Sequence, residues 1–511
     1  MNAPAERKSR DVFALVGRSG IYAVGSVLQR GINFLLIPLL TLVLSTDDFG
    51  KVAIATSTGT VLALLLGFGL DSACTLVSFL YREEKERRTL YTTLVGFIVL
   101  VSGLLTSILD LIGQAGGLNW LPGLPFEPYL RLILWTSYCS LFLSMSLAIF
   151  TALAQPLKVI GLSLLSSFLS ASLALYLVFE KHQGLRGWFL ANLIAAIIMA
   201  LLSLVILINM AGRRGSLSIL RTALRFSVPL IPHSAGSWAL SISDRFVLVS
   251  YVSLGAVGVY SLGYQVGLGI SICTNAISNS LFPLVNVRLH RSSTDSEVPR
   301  LGTYALLLMT ILSLAAGLAG SDLIKLLTPA RFHGASEVVP WVALGALFQG
   351  VYLVWSRGTW FSMRTGWVPV LTGLAAAVNL GLNLLFVPRW GIMAAAVNTT
   401  IAYGLLAILH GCLATKVFPI AWEYGRWLKL LLASTFWLIA GNSIAQGGVW
   451  LNLTIKAVVV LVLFPLSLRV MHFFTRAEIS YAQAHSAQFV PHWVGGQRGT
   501  SGKFRWRGDS E

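Results

Sequence analysis

Long apolar segments separated by short polar loops dominate the chain. Fourteen of these segments are long enough to cross a bilayer as helices, because a span needs about 20 apolar residues. They lie at residues 18–44, 49–80, 90–112, 129–154, 159–179, 187–211, 227–250, 256–284, 301–327, 336–361, 367–387, 391–415, 428–446 and 449–473. The pattern predicts an all-α polytopic membrane protein whose two termini lie on the same side, because the number of spans is even.

The composition agrees with this class. AVILMFWYC make up 56% of the 511 residues and DEKR only 11%, whereas soluble domains carry roughly 25% charged residues. A soluble enzyme, a disordered scaffold and a secreted disulfide module are thereby excluded. The four cysteines lie in apolar stretches without paired spacing, which is typical of small buried hydrophobes. No zinc motif, P-loop or hydrolytic triad stands in the polar segments, so we expect no catalytic residue, no metal site and no cofactor.

The net charge of +17 is explained by topology. Of the 37 Lys and Arg residues, 25 lie in the N-terminal segment, the even-numbered loops and the C-terminal tail, and seven lie in the odd-numbered loops. Cytoplasmic loops of membrane proteins carry such an excess. We therefore expect both termini in the cytoplasm, an uncleaved N-terminus and no nucleic-acid partner.

The chain contains a faint internal repeat. STDDFG at 45–50 joins the first two spans as SLGAVG at 253–258 joins the seventh and eighth, an offset of 208 residues. FEKHQG at 179–184 and FVPRWG at 386–391 give an offset of 207. Two six-helix lobes in parallel orientation are a transporter signature, with the substrate site between them. The predicted units are an N-lobe (1–211), a cytoplasmic linker (212–226), a C-lobe (227–416), two appended helices (417–473) and a flexible cytoplasmic tail (474–511).

Polar residues form stripes on three predicted spans. They recur at steps of three and four in the first and seventh spans, which places them on one helical face. Lipid cannot accommodate such faces cheaply, so the stripes predict a hydrated central cavity. For single Ser and Asn side chains, interhelical hydrogen bonding is the alternative. The stripes consist of Ser19, Tyr22, Ser26, Arg30 and Asn33; of His233, Ser237, Ser241 and Asp244; and, in the eighth span, of Tyr260, Tyr264, Ser271, Asn275 and Asn279.

Ionisable residues inside spans are candidates for function. Arg30 stands too deep in its span to reach the membrane surface easily. Asp244 and Arg245 are adjacent, so their side chains are expected to diverge by about 100°, one lining the cavity and the other pairing with a neighbouring helix. Arg357 lies near enough to a span end to extend to the surface, as does Lys456. The predicted substrate-binding residues are Arg30, Asn33, Arg245, Arg357, Tyr260 and Tyr264, and the predicted coupling or gating residues are Asp71, Asp244 and His233.

Several segments resemble the polysaccharide transporters, the Wzx-type flippases of the multidrug/oligosaccharidyl-lipid/polysaccharide (MOP) superfamily. Residues 19–57 are similar to the family's opening, with Pro38 near the outer end of the first span and Leu44, Ser45, Phe49 and Gly50 in the following motif. GFGLDSA at 67–73, SDRFVLVSYVSLGAVGVYSLGYQ at 243–265 and LNLLFVPRWGIMAAAVNT at 382–399 resemble later blocks. Met393 stands where relatives often have Gly.

The resemblance implies alternating-access export of an oligosaccharide linked to undecaprenyl pyrophosphate across the bacterial inner membrane, for O-antigen, capsule or exopolysaccharide. It also implies a polymerase and chain-length or export proteins as possible partners, and a proton or sodium gradient as a possible driving force. The alternatives are a cation-coupled multidrug exporter, which favours acidic cavity groups over Arg30, and a lipid II flippase. A polytopic glycosyltransferase or polymerase is a distant alternative, because it requires a larger extracytoplasmic loop or an acidic catalytic motif.

Overall fold

The computed structural model describes residues 25–480 apart from 26, 30, 33, 82, 118–122, 292–296, 363, 365, 445–446 and 477. Two predicted site residues, Arg30 and Asn33, lie outside the described residues, as do the side chain of His233 and the tail from residue 481. Every regular element in the described part is helical.

The helices follow one another with short connections. They are α1 (Val27–Val43), α2 (Thr46–Gly67), α3 (Leu70–Val77), α4 (Glu84–Gln114), α5 (Phe126–Ala152), α6 (Pro156–Glu180), α7 (Gly184–Met210), α8 (Leu217–Ser227), α9 (Ile231–Tyr251), α10 (Leu254–Arg291), α11 (Glu297–Leu327), α12 (Ala335–Phe361), α13 (Val368–Val417), α14 (Tyr424–Ile444) and α15 (Val449–Val470). Below, the first half means α1–α7 and the second half means α9–α13.

Eleven of the described helices are long and apolar enough to cross a membrane. One of them, the 50-residue α13, breaks at Gly391, where φ is +56° and ψ is −135°. Its two segments correspond to the predicted eleventh and twelfth windows. The polar α9 occupies the seventh window, and α1 is a shorter apolar helix. The all-α polytopic class is confirmed, and the number of fourteen spans stays a prediction.

Local sequence signals set the helix ends around the STDDFG motif, which joins the first two predicted spans. Ser45 and Asp48 form a capping box at the start of α2, in which the Ser45 hydroxyl accepts the Asp48 N–H at 3.1 Å. At the other end of α2, Phe68 and Gly69 adopt left-handed conformations with φ of +51° and +63°. These two residues divide the predicted second span, residues 49–80, into α2 and α3.

The two halves meet most extensively where α2 packs on α10. Gly50 and Gly258, which occupy equivalent positions in the repeat, lie at this crossing. A Cβ atom on Gly50 would overlap with the Leu254 carbonyl, and one on Gly258 would overlap with the Thr46 carbonyl. Only glycine therefore permits this approach, which we call the α2–α10 contact.

A second-half loop strengthens this closure. The Arg331 guanidinium donates to the carbonyl oxygens of Thr41 at 2.6 Å and of Leu42 and Leu44 at 3.2 Å. These carbonyls terminate α1, where a cation is favourable because helix C-termini carry partial negative charge. Beside Arg331, Phe332 packs edge-to-face on Phe49 with ring centroids 5.7 Å apart. The halves are thus closed against each other at the side predicted to be extracytoplasmic.

Candidate functional site

A polar cavity of ≈ 360 Å³ lies inside the second half, enclosed by α9, α10, α12 and α13. Hydroxyl and amide side chains form much of its wall, which is unusual for the interior of a helix bundle in a membrane. Such a wall accommodates water or a polar ligand rather than lipid. The lining residues with polar side chains are Ser237, Ser241, Tyr264, Ser271, Asn275, Gln349, Tyr352, Thr372, Thr399, Thr400 and Tyr403.

A buried ion pair stands behind one end of this cavity. Arg245 Nη1 lies 3.0 Å from Asp244 Oδ1, and the Tyr260 hydroxyl donates to the other carboxylate oxygen. The Asp244 side chain is fully buried and that of Arg245 is 8% exposed. The expected divergence of Asp244 and Arg245 is wrong, because the long Arg245 side chain curls back to its neighbour's carboxylate.

Two tyrosines complete the surroundings of Arg245. Its guanidinium carbon lies 4.5 Å from the ring centroid of Tyr264 and 5.6 Å from that of Tyr260, as in cation–π contacts. Tyr264 and Tyr403 both line the cavity. Arg245 and Asp244 are therefore compensated by each other and screened from the cavity by aromatic rings.

Arg357 has different surroundings. It is buried, with 7% of its surface exposed. Its Nη2 donates to the Ser278 carbonyl at 3.0 Å and to the Ser278 hydroxyl, and its guanidinium carbon lies 4.9 Å from the Phe282 ring centroid. Its Nε has no hydrogen-bond partner, and within the described part of the chain no carboxylate is paired with it. Arg357 is thus a buried cation without a counter-charge, rather than a side chain that extends to the membrane surface.

Arg357 lies one helical turn beyond the cavity wall. On α10, Asn275 lines the cavity and Ser278, three residues later, binds Arg357. On α12, Tyr352 lines the cavity five residues before Arg357. The cavity therefore runs from the tyrosine-covered ion pair at one end towards Arg357 at the other.

Three buried amides hold the broken helix α13 together. Asn398 donates to Asn383 at 3.1 Å, Asn383 to Asn379 at 3.2 Å, and Asn379 to the Leu240 carbonyl of α9 at 2.9 Å. The chain of amides joins both segments of α13 to the helix that carries Asp244. Each donor finds an acceptor, which fits a structural role for these asparagines.

The other predicted site residues occupy different places. Tyr264 lines the cavity, whereas Tyr260, Asp244 and Arg245 lie behind it. Asp71 lies in the first half at the start of α3, where its carboxylate is 3.4 Å from the Ser144 hydroxyl. The structure therefore brings Asp244, Arg245, Tyr260 and Tyr264 together, places Arg357 beyond the other end of the cavity, and keeps Asp71 apart in the first half.

One charged pair was not recognised from the sequence. Lys456 Nζ of α15 lies 2.5 Å from Asp322 Oδ2 of α11, and Asn452 donates to the same carboxylate at 3.3 Å. The Lys456 and Asp322 side chains are 5% and 4% exposed, so the expected extension of Lys456 to the surface is wrong. The only sequence signal was the presence of two opposite intramembrane charges, 134 residues apart. Among the described residues, no group of three His, Cys, Asp or Glu side chains is placed to hold a metal ion.

Comparisons with known proteins agree with the fold and the predicted class. A profile of the family described as "Polysaccharide biosynthesis protein" matches residues 16–286. The chain is 25% identical to the succinoglycan biosynthesis transport protein ExoT of Rhizobium meliloti, over 77% of this chain and 76% of that protein. It is 20% identical to the probable low-salt glycan biosynthesis flippase Agl15 of Haloferax volcanii, over 47% of this chain and 53% of that protein.

A solved structure shows the same fold. The inward closed conformation of the lipid II flippase MurJ superimposes with a TM-score of 0.70 at 16% identity, over 88% of this chain and 99% of that one. At this identity the likeness concerns the fold alone. It agrees with the all-helical fold described above.

Proposed function

The chain belongs to the polysaccharide biosynthesis protein family, within the MOP superfamily, and from this premise we propose that it is a flippase for lipid-linked oligosaccharides. The proposed substrate is a sugar repeat unit on undecaprenyl pyrophosphate. It crosses the bacterial inner membrane towards the outer leaflet, for assembly into a surface polysaccharide. The protein is a multi-pass membrane protein. In this proposal both termini lie in the cytoplasm, as the distribution of Lys and Arg residues predicts.

The observation that carries this proposal is the buried, uncompensated Arg357 beside a polar cavity. Removing a guanidinium from water without a counter-charge costs several kcal/mol, so its retention favours an anionic partner at some stage of the cycle. A guanidinium fork matches the oxygens of a phosphate group. The hydroxyl and amide groups of the adjoining cavity suit a polar headgroup. In this proposal Arg357 binds the pyrophosphate, while Arg245 keeps the binding site in shape through Tyr264.

The closed side of the molecule supports alternating access. The α2–α10 contact and Arg331 join the two halves at one side of the membrane. A transporter with two such halves exposes its substrate site by rocking them apart. Buried apolar side chains of both halves also pack together here, among them Leu44, Phe49 and Phe332, so in this proposal opening exposes an apolar surface that the halves share.

The remaining predicted residues keep their proposed roles, including Arg30, Asn33 and the His233 side chain, which lie outside the described part. Arg30 and Asn33 bind the headgroup from the first half, and His233 and Asp71 act in coupling or gating together with Asp244. A proton or sodium gradient is the proposed driving force. A polymerase and chain-length proteins are the proposed membrane partners.

The test measures export of surface polysaccharide by a strain whose chromosomal copy of the gene is deleted and whose plasmid carries the wild-type or variant gene. We expect Arg357→Ala to lower export at least about tenfold, because a charged hydrogen bond to phosphate contributes about 1.5–3 kcal/mol. Arg357→Lys should keep part of the activity, since Lys carries the charge without the fork. Arg364→Ala, at an exposed position nearby, is the matched control and should export normally.

Two outcomes would contradict the proposal. Normal export by Arg357→Ala at normal membrane abundance would remove Arg357 from substrate binding. Unchanged surface polysaccharide after deletion of the gene, with no other flippase present, would remove the function itself. Arg30→Ala provides the corresponding test in the first half.

A further inference from the structure

A second depression, with a mostly apolar wall that carries several hydroxyl groups and one amide, lies in the first half, away from the arginines. It has a volume of ≈ 370 Å³ and lies between α2, α5 and α7. A neighbouring hollow of ≈ 330 Å³ shares Ala63 and Ser140 with it and reaches Asp71. We call the two together the first-half groove; its polar lining consists of Thr56, Thr60, Thr136, Ser137, Ser140, Asn192, Ser144 and Asp71.

The hydroxyl groups of this groove present acceptors rather than donors. Thr56 donates to the Val52 carbonyl at 2.8 Å, Thr60 to the Thr56 carbonyl at 2.9 Å, and Thr136 to the Leu132 carbonyl at 2.7 Å. A hydroxyl has one hydrogen and two lone pairs. Because the hydrogen is used within the helix, the oxygen keeps lone pairs for a ligand. A ligand that donates hydrogen bonds is therefore favoured.

The Asn192 side chain reinforces this polarity. Its amide nitrogen donates to the Trp188 carbonyl at 2.8 Å, and its amide oxygen accepts from Ser170 at 2.8 Å. One of the two amide hydrogens is engaged in this way, so Asn192 keeps one donor. Together with the Trp188 indole N–H this leaves few donors against the many hydroxyl oxygens of the wall.

The charge of the groove excludes anions. In the described lining no Lys or Arg is present, and the one charged group is the Asp71 carboxylate. A phosphate or a carboxylate placed here would face oxygen lone pairs and a like charge in a medium of low dielectric constant. The groove therefore differs in ligand preference from the site at Arg357.

An aromatic ring borders the groove at the end far from Asp71. Trp188 is half-buried and stands edge-to-face with Phe189 at a centroid distance of 5.0 Å. The face of an indole carries negative quadrupole charge, which attracts the partly positive C–H bonds of a flat apolar surface. One ligand class combines several O–H donors with such C–H faces, namely an uncharged pyranose sugar. The volume lies within the range of about 300–1,000 Å³ that is usual for small-molecule pockets.

We propose that the first-half groove is a binding subsite for an uncharged sugar ring of the transported glycan. This proposal rests on the function proposed above and adds a preference: neutral sugars bind here, whereas uronic acids do not. The two halves then divide the headgroup, with the sugar on the acceptor-rich first half and the pyrophosphate on the cationic second half.

The test uses soluble probes, so that it does not depend on the lipid carrier. The full chain is placed in phospholipid nanodiscs, and binding of methyl glucopyranoside, methyl glucuronoside and inorganic pyrophosphate is measured by saturation-transfer NMR and titration. The variant is Thr60→Val/Thr136→Val, which keeps the shape of both side chains and removes both acceptor oxygens. The matched control is Thr454→Val on α15, where the hydroxyl also donates within its helix, to the Trp450 carbonyl at 2.9 Å.

We expect the wild-type chain to bind methyl glucopyranoside at least about tenfold more tightly than methyl glucuronoside. The double variant should lose about tenfold or more in glucoside affinity, because two hydrogen bonds from the sugar lose their acceptors. Its affinity for pyrophosphate should equal that of wild type, and Thr454→Val should bind both probes normally.

Three results would overturn the subsite: no glucoside binding by wild type, equal glucoside affinity in the double variant, or glucuronoside affinity equal to that of glucoside. The second of these would mean that the hydroxyls serve helix packing only. Failure of the flippase function shows up separately, as normal polysaccharide in a deletion strain, and leaves the glucoside measurement intact.

Discussion

At the scale of single residues, the Asp244 carboxylate is notable because it accepts three donors at once. They are the backbone N–H of Arg245 at 2.8 Å, the Arg245 guanidinium at 3.0 Å and the Tyr260 hydroxyl. We expect Asp244→Asn to lower thermal stability in detergent, because it leaves Arg245 as a buried cation without its carboxylate, a change that costs about 3–5 kcal/mol. The measurement is the melting temperature by fluorescence-detected size-exclusion chromatography. A double variant, Asp244→Asn/Arg245→Gln, should recover part of the loss, and equal melting temperatures for all three proteins would contradict this account.

The same substitution tests whether Asp244 acts in coupling. If it does, Asp244→Asn should keep binding of the lipid-linked sugar and slow transport in liposomes, chiefly when a pH gradient is imposed. If Asp244 is only the structural counter-charge of Arg245, binding and stability should fall together and the double variant should restore both. Transport by purified Asp244→Asn equal to wild type, with and without the gradient, rules out the coupling role.

The pair formed by Asp322 and Lys456 gives another prediction at this scale. Lys456→Met alone leaves the Asp322 carboxylate buried without its cation, so the melting temperature should fall clearly. Asp322→Leu/Lys456→Met should restore it, because apolar residues often replace a buried ion pair without loss. Lys416→Met, at an exposed position, is the control and should be neutral. Restored stability without restored export would assign the pair a role in transport in addition to anchoring α15.

Sequence reasoning identified individual buried charges better than their partners. Spacing placed Asp244, Arg245 and Arg357 inside predicted spans, and the structure buries all three. Spacing could not predict that the Arg245 guanidinium binds the carboxylate of the adjacent Asp244. This contact depends on the length of the arginine side chain rather than on the angle of about 100° between successive residues of a helix. Nor could spacing pair Asp322 with Lys456, because no local pattern connects residues on helices so far apart in the chain.

At the scale of helices, the α2–α10 contact yields a prediction about conformation. We expect Gly50→Ala or Gly258→Ala to prevent the close approach, since the added Cβ would overlap with backbone carbonyls that cannot move aside. The halves should then separate at this side. Spin labels at the exposed positions 43 and 251, in a background without the four native cysteines, should show a longer distance in either variant. Gly269→Ala on α10, where a Cβ meets nothing within 4 Å, is the control. An unchanged distance in all variants would contradict the role of the α2–α10 contact in closing this side.

Helix limits followed from the sequence wherever a residue forces the backbone. The predicted windows 367–387 and 391–415 match the break at Gly391. The positive φ at this break favours glycine, so the residue type marks the helix limit. The window at 49–80 did not reveal the break between α2 and α3, because Phe68 takes a left-handed conformation that its residue type does not suggest. The packing of Leu66 and Leu70 into the first-half core holds this turn in place.

At the scale of the whole molecule, apolar patterning predicted the fold class and the resemblance predicted the family. Both are confirmed, because long apolar segments and family motifs can each be identified in a single sequence. The two-lobe division into 1–211 and 227–416 stays a prediction of the repeat. The first-half groove escaped sequence reasoning for a physical reason: its Ser and Thr residues look like ordinary helix-packing residues until α2 and α5 bring them to one hollow.

The orientation of the whole chain rests on its basic residues and is open to a direct test. Reporter fusions after residues 120, 182 and 333 should be active outside the cytoplasm, and fusions after residues 86, 217 and 295 should be active within it. The reason is the distribution of 25 against seven Lys and Arg residues between the two sets of segments. Alkaline phosphatase and a fluorescent protein, which are active on opposite sides of the membrane, give complementary signals at each position. A reversed pattern would place the α2–α10 contact and Arg331 on the cytoplasmic side, so that the closed side of the molecule would be the cytoplasmic one. A single discordant fusion would instead show that one span is miscounted, and the position of that fusion would locate it.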